Sequence, residues 1–250
     1  MDLDIKTYFT KVNSLVKIFS LVIVFIALIT FSFFGKAKDN EYSDNYYANN
    51  NNLSNSYDYK YLGAIFEENG KASYYGKAFH NRRTASGERF DMFDLTAAHR
   101  KLPFGTIIRV TNESNNNVIL VRINDRGPFI KGRILDLSHY AAQELKELGV
   151  PKVKIEGFDK NYLDKNSEDL KNSFLCYSFD YPLEIIEDRY LHFVDSTNEF
   201  KNAVELYNDY SMVDKETIWY ICVSPQKVND EPIYYITYPK DAYYFAKIVK

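Results

Sequence analysis

The stretch VRINDRGPF at residues 121–129, followed by GRILDLS at residues 132–138, decides the fold of this chain. In its first part an apolar strand pattern ends at Asp125 and enters a Gly-Pro turn. Binding and catalytic residues are often held at such positions by a rigid scaffold. Asp125 is therefore the first candidate for a catalytic residue. The alternative is that its carboxylate only caps the turn and pairs with Arg126 or Arg122.

Short strand patterns, broken by turn signals, surround this stretch. They lie at residues 71–75, 106–111, 118–123 and 152–155. The second and third flank an Asn-rich segment at 112–117, which predicts a β-hairpin. Together with one or two short helices, these strands predict a small β-barrel over residues 68–157.

One helix is expected to begin after Ser138, which can cap it. Its apolar stripe should contain Ala141, Ala142, Leu145 and Leu148. Gly149 followed by Pro151 should end it.

The N-terminal segment predicts export from the cytoplasm. Residues 18–34 are 17 residues without a charge, preceded by Lys6, Lys11 and Lys17. This length is at the low end for a membrane-spanning helix, and the preceding lysines favour a cytoplasmic N-terminus. We expect residues 1–38 to be a signal anchor or a signal peptide, with an uncleaved anchor slightly favoured because residues 35–37 form a poor cleavage site.

Two further segments flank the predicted barrel. Residues 39–67 are rich in Asn, Ser and Tyr and read as a flexible linker. Residues 158–250 are acidic and Tyr-rich, with strand patterns at 174–179, 217–223 and 232–237 and a helix pattern at 199–210. This order predicts a small α+β module, in which we find no catalytic motif.

The charge distribution limits the classes of partner. The chain has 31 Lys and Arg and 34 Asp and Glu, a net charge of −3, so it is not a general polyanion binder. Nucleic-acid binding is also excluded by the expected export. Residues 70–156, however, hold 15 basic and 9 acidic residues, which suits an anionic wall polymer or a polar glycan. No cluster predicts a metal site, and no cofactor is expected.

Four motif clusters lie in the predicted barrel. They are ASYYG with FH at residues 72–80, RTASGERFD at 83–91, LTAAHRKLPFGT at 95–106, and the stretch from 121 to 138. In this order they closely resemble the RlpA (rare lipoprotein A) family over about residues 70–157. The resemblance implies a six-stranded double-psi β-barrel. It also implies lytic transglycosylase activity on peptidoglycan, with a preference for glycan strands that lack stem peptides.

The chemistry of that reaction agrees with a single essential carboxyl group. In a lytic transglycosylase the muramyl 6-hydroxyl attacks C1 within the same molecule, so no second carboxylate is needed to activate water. One carboxyl group can act first as acid and then as base. Asp125 aligns with the essential aspartate of the family. His99 and Glu88 match two other positions linked to activity there, where His99 could orient the aspartate or donate to a sugar hydroxyl.

Each supporting residue has a structural alternative. His99 could be a hydrogen-bonded histidine of the barrel, and Glu88 a solvated loop carboxylate beside Arg89. Asp136 stands just before Ser138 and is best explained as part of the helix cap, although it could line the groove. His80 could equally well line the glycan groove or lie on the surface of the barrel.

The resemblance also predicts substrate-binding residues, with some departures from the family pattern. Those residues are Tyr75, His80, Arg126 and Asp136. Tyr75 stands where the family usually has Trp, and Asn81 where Gly is common.

A lipidation cysteine is missing. The β-α-β-β order of residues 158–250 is compatible with a diverged SPOR (peptidoglycan-binding) module, although its small number of glycines argues against one.

The two cysteines, Cys176 and Cys222, fall on predicted strands. In an exported chain they could form one disulfide, and two buried thiols are an equal alternative.

We therefore expect a membrane-tethered enzyme of the periplasm or cell envelope that cleaves MurNAc-GlcNAc strands and has cell-division proteins among its candidate partners. The alternatives are a glycan-binding module without catalysis and a division-site scaffold. The Glu88, His99 and Asp125 set favours the enzyme, because a binding module needs no poised acid.

Overall fold

The computed structural model describes residues 63–146, 148–225 and 231–241. The predicted apolar helix at residues 18–34 and most of the predicted linker lie outside these residues. No helix in the described part of the chain is long and apolar enough to cross a membrane.

Six strands form a closed barrel in the order β1-β5-β2-β4-β3-β6. The strands are β1 (Ile65–Tyr74), β2 (Thr96–His99), β3 (Ile107–Asn112), β4 (Val118–Asp125), β5 (Arg133–Leu137) and β6 (Lys152–Phe158). β1 pairs with β5 and β2 pairs with β4 in parallel, and the other neighbours are antiparallel. The predicted double-psi β-barrel class is confirmed, and β1 begins at Ile65, before the predicted start of the barrel at residue 68.

Residues 121–138 contribute two strands and the turn between them. β4 ends at Asp125, and β5 carries Asp136. Both residues pair with Ala98 of β2, which lies between the two strands. Because neighbouring strands are roughly 4.8 Å apart, the two aspartates lie on opposite sides of β2 within about 10 Å of each other.

The predicted helix is α1 (His139–Glu144), and Ser138 is its N-cap. The Ser138 hydroxyl accepts a hydrogen bond from the Ala141 amide at 3.1 Å. Ala141, Ala142 and Leu145 are buried as expected, but Leu148 is 51% exposed. The prediction for Leu148 was wrong because the helix ends before it.

The C-terminal part is a five-stranded antiparallel sheet with the strand order β8-β7-β10-β11-β9. The strands are β7 (Ser173–Tyr177), β8 (Glu184–Glu187), β9 (Leu191–Thr197), β10 (Tyr220–Val223) and β11 (Tyr234–Pro239). A short helix, α2 (Lys160–Lys165), precedes them, and α3 (Phe200–Val213) packs on the sheet. The predicted α+β architecture is confirmed, and β8 and β9 are additional to the prediction.

One hydrophobic core joins the barrel to this sheet. Leu120, Val121 and Ile155 of the barrel belong to the same buried cluster as Ile221 of β10 and Phe200 of α3. Arg109 of β3 also bridges the two parts, because it pairs with Glu156 of β6 and donates to the Tyr181 carbonyl at 2.5 Å.

The sheet contains a disulfide between Cys176 and Cys222. The two residues are direct partners in the β7–β10 ladder, and both are fully buried. Of the two alternatives that the sequence left open, a disulfide or two buried thiols, the structure therefore shows the disulfide.

Candidate active site

The Asp125 carboxylate is fixed by three hydrogen bonds at the end of β4. Its Oδ1 accepts from the backbone amides of Ala85 and Arg126, each at 2.8 Å. Its Oδ2 accepts from the Tyr75 hydroxyl at 2.9 Å. The loop around Ala85 and the end of β1 thus converge on Asp125, and the carboxylate is only partly buried. The Arg126 side chain does not pair with this carboxylate, and Arg122 pairs elsewhere.

Tyr75 connects this carboxylate to an aromatic cluster. Its ring packs against Phe79 and Phe90, with centroids 5.3 and 5.1 Å away. Burial, followed by the hydrogen bond to Asp125, raises the pKa of the Tyr75 hydroxyl. The phenol therefore stays protonated across the neutral range and remains a donor to Asp125.

Asp136 lies near the Tyr75 hydroxyl that donates to Asp125. Its carboxylate accepts hydrogen bonds from Ser73 and from Arg133. A Cβ on Gly127 would lie 3.6 Å from Asp136 and 4.0 Å from the Tyr75 hydroxyl oxygen, so these groups surround one point. The Asp136 carboxylate is therefore close to the groups that hold Asp125. The helix cap, which the sequence analysis attributed in part to Asp136, is provided by Ser138.

His99 is buried, and both of its ring nitrogens have partners. Nδ1 accepts from the Lys101 and Leu102 amides at 3.2 and 3.0 Å. Nε2 therefore carries the proton and donates to Glu68 at 3.1 Å. Burial lowers the pKa of the imidazole, so the ring is neutral at pH 7. The sequence left His99 as a group that orients Asp125, a donor to a sugar hydroxyl or a hydrogen-bonded histidine of the barrel. These contacts agree with the last of these, because the ring is bonded to Glu68 and to the backbone at residues 101 and 102.

The Arg126 side chain connects the backbone at His99, the end of β2, to the backbone at Asp125, the end of β4. Its guanidinium donates to the His99 carbonyl at 3.3 Å and to the Asp125 carbonyl at 3.4 Å. The same group stacks on the Phe104 ring, 3.7 Å from the centroid. Phe104 was not singled out from the sequence, where it is part of the LPFGT turn motif.

Glu88 forms a two-pronged ion pair with Arg122, at 2.7 and 2.9 Å. Asn124 donates to the same carboxylate at 3.1 Å. These hydrogen bonds, that from Arg122 first, lower the pKa of Glu88. Arg122 and Asn124 lie on β4 just before Asp125, so Glu88 contacts the strand that carries the aspartate. Its partner is Arg122, and the adjacent Arg89 instead donates to the Asn81 carbonyl.

His80 lies at the edge of the aromatic cluster. Its Nδ1 accepts from the Met92 amide at 3.2 Å, and its ring meets the edge of Phe93. The next residue, Asn81, has φ of 66°, a left-handed conformation that Asn and Gly tolerate best. This conformation explains how Asn can occupy a position where the resembled family often has Gly.

The described residues contain no group of three or more His, Cys, Asp or Glu side chains arranged to hold a metal ion.

A family model described as lytic transglycolase matches residues 67–156, which are the barrel. An endolytic peptidoglycan transglycosylase RlpA from Vibrio cholerae is 45% identical over 114 residues, 45% of this chain and 43% of that protein. Residues 67–156 form a domain of the RlpA family.

Other RlpA proteins give the same result. The RlpA from Rickettsia felis is 47% identical over 113 residues, 43% of this chain and 47% of that protein. A probable RlpA from Synechocystis is 60% identical over 76 residues, 30% of this chain and 24% of that protein. The chain thus spans less than half the length of each of these relatives. Among solved structures, a Streptomyces papain inhibitor aligns with 37% of this chain and 94% of its own, at 23% identity and a TM-score of 0.31.

Proposed function

We propose that this protein is an endolytic peptidoglycan lytic transglycosylase in which Asp125 is the catalytic acid and base. The observation that carries the proposal is the fixed Asp125 carboxylate at the end of β4, in an RlpA-family barrel. Relatives named endolytic peptidoglycan transglycosylase support the reaction and peptidoglycan as the substrate, in which we propose cleavage of MurNAc-GlcNAc strands.

In the proposed reaction, protonated Asp125 donates its proton to the glycosidic oxygen as the bond to the muramyl C1 breaks. The 6-hydroxyl of the same muramyl unit attacks C1, and its proton passes to the Asp125 carboxylate. The products are a 1,6-anhydromuramyl end and a free 4-hydroxyl on the departing sugar, and Asp125 is again protonated. Oδ2 is the oxygen suited to carry the proton, because two backbone amides already donate to Oδ1.

The other candidate residues take supporting roles in this proposal. Tyr75 holds Oδ2 in position, and Asp136 would accept a hydrogen bond from a sugar hydroxyl beside it. His99 acts through its backbone carbonyl on Arg126. Glu88, held by Arg122, would accept a hydrogen bond from a substrate hydroxyl, and His80, which packs against Phe93, would contact the glycan.

The proposed setting is the cell envelope, where peptidoglycan lies. The apolar segment at residues 18–34 would tether the enzyme to the inner membrane with the barrel exported. Cell-division proteins are proposed partners at that location.

The test is digestion of purified sacculi, native and amidase-stripped, followed by mass analysis. We expect release of anhydromuramyl products, with more from the stripped sacculi. Binding to both substrates without any release would instead assign the glycan-binding function without catalysis.

A further inference from the structure

The barrel and the C-terminal sheet enclose a cleft of about 990 Å³, which we call the intermodule cleft. Sites for small ligands typically have volumes of roughly 300–1,000 Å³, so this cleft is large enough for a ligand. Aromatic rings line it on both sides, Phe93 and Phe104 from the barrel and Phe174 and Tyr235 from the sheet. Phe93 is 56% exposed and Phe104 41% exposed, so more than a third of each side chain is open to solvent.

The intermodule cleft begins next to the groups that hold Asp125. Ala85 donates its amide to Asp125, and the next residue, Ser86, lines the cleft. Phe104 also lines the cleft, while its ring stacks on Arg126 beside Asp125. A linear polymer bound across Asp125 can therefore continue into this cleft.

The polar groups of the cleft favour a ligand rich in hydrogen-bond donors. The described lining residues include five acidic and two basic side chains, and the Glu88–Arg122 ion pair leaves four acidic side chains and one basic side chain. Carboxylates accept hydrogen bonds from hydroxyl and amide groups and repel anions. Exposed aromatic faces add contact area for flat apolar surfaces. A sugar ring offers both, with apolar faces and hydroxyl or acetamido donors at its rim.

We propose that the intermodule cleft binds N-acetylated sugar units of the glycan strand, beyond the units placed at Asp125. The C-terminal sheet then forms one wall of an extended substrate site. The identity of the polymer rests on the proposed function, whereas the sugar-binding chemistry of the cleft rests on the lining residues themselves.

Binding can be measured without cleavage. The full chain carrying Asp125→Asn is purified in a detergent that has no sugar headgroup, and N-acetylglucosamine oligomers of two to six units are titrated by calorimetry. We expect affinity to rise with oligomer length. Tyr235→Ala and Phe93→Ala should each weaken hexamer binding by roughly three- to tenfold and reduce the gain with length.

Two further variants provide the controls. Tyr235→Phe keeps the ring and should bind as the parent does, which separates a lost ring contact from misfolding. Met212→Ala changes a side chain that is 72% exposed and does not line the cleft, and it should also bind as the parent does.

Hexamer binding equal in Tyr235→Ala, Phe93→Ala and Met212→Ala would overturn the proposal. Polyphosphate and pentalysine are titrated in the same way. If Tyr235→Ala and Phe93→Ala weaken the binding of either charged ligand more than the binding of the hexamer, the cleft is a site for that charged ligand and the proposal is overturned. If the wild type releases no anhydromuramyl ends, the proposed function fails, but the binding measurement can still be interpreted because the Asp125→Asn chain is not required to cleave.

Discussion

The Tyr75 hydroxyl donates a hydrogen bond to Oδ2 of Asp125 at 2.9 Å, between the end of β1 and the end of β4. Backbone amides donate to Oδ1, so the Tyr75 hydroxyl is the donor to the carboxylate oxygen that no backbone amide contacts. A donor at this oxygen fixes the direction from which a proton can leave Asp125. It also connects the acid to the ring that packs on Phe79 and Phe90.

Replacing Tyr75 by Phe tests this relationship. The ring and its packing remain, but the donor to Oδ2 is lost. We expect the rate of anhydromuramyl release to fall roughly tenfold to a hundredfold, less than the 10²- to 10⁴-fold typical for loss of the proton-handling group itself. Tyr74→Phe is the matched control, because the Tyr74 ring packs against His139 on the other side of β1. Equal rates in the two variants would contradict the role of the Tyr75 hydroxyl.

His99 predicts a dependence of stability on pH. Burial lowers the pKa of its imidazole from the ordinary 6.5, so the unfolded chain binds a proton that the folded barrel excludes. Above pH 6.5 the neutral His99 ring makes its full contribution to the free energy of unfolding. This contribution should decrease as the pH falls from 6.5 through the lower pKa that His99 has in the folded protein. His99→Gln should reduce this decrease in urea unfolding experiments at pH 7.5, 6.5 and 5.5. His192→Gln, at an exposed site on β9, should retain it, and an unchanged pH dependence in His99→Gln would show that another group is responsible.

Glu88 is expected to matter less than Asp125 for catalysis. Glu88→Ala leaves Arg122 without its two-pronged partner and should lower the free energy of unfolding by about 1 kcal/mol, because the pair is partly exposed. Its effect on the rate should be smaller than that of Asp125→Asn, since Glu88 is proposed only to accept from the substrate. Glu113→Ala, at the exposed turn between β3 and β4, should change neither quantity. A rate loss in Glu88→Ala as large as in Asp125→Asn would contradict the single-acid mechanism.

The disulfide should stabilise the C-terminal sheet. It joins residues 46 positions apart, and the loop-entropy model gives about 4 kcal/mol for a loop of this size. The double variant Cys176→Ala/Cys222→Ala should therefore unfold at a lower temperature than the wild type, in calorimetry without reductant. Adding dithiothreitol should lower the transition of the wild type and leave that of the double variant unchanged. A wild-type transition that coincides with that of the double variant would contradict the stabilising role.

The interior strands of the C-terminal sheet could be predicted from the sequence, but its edge strands could not. β7, β10 and β11 are central and carry apolar runs that were recognised. β8 and β9 are the two edges, and β9 is mostly exposed, so it shows no continuous apolar pattern. β2 of the barrel was missed for the opposite reason, because all four of its residues are buried and it does not alternate.

The position of Asp125 was also predictable, whereas the partners of the supporting residues were not. Asp125 is marked by a local pattern, a strand that ends in a Gly-Pro turn. The partner of His99 is Glu68, 31 residues away on a part of β1 that has no apolar run. Arg122 reaches Glu88 across 34 residues. Such pairs are set by the strand order of the closed barrel, and spacing along the chain does not reveal them.

The most direct test of the account is the release of anhydromuramyl products by the wild type and by Asp125→Asn. The two chains are compared on amidase-stripped sacculi by mass analysis, with circular dichroism to check that both are folded. We predict that the wild type releases these products and that Asp125→Asn, which keeps a side chain of nearly the same shape, binds the sacculi but releases none. Release at a near-wild-type rate by folded Asp125→Asn would contradict the assignment of Asp125 as the catalytic acid and base.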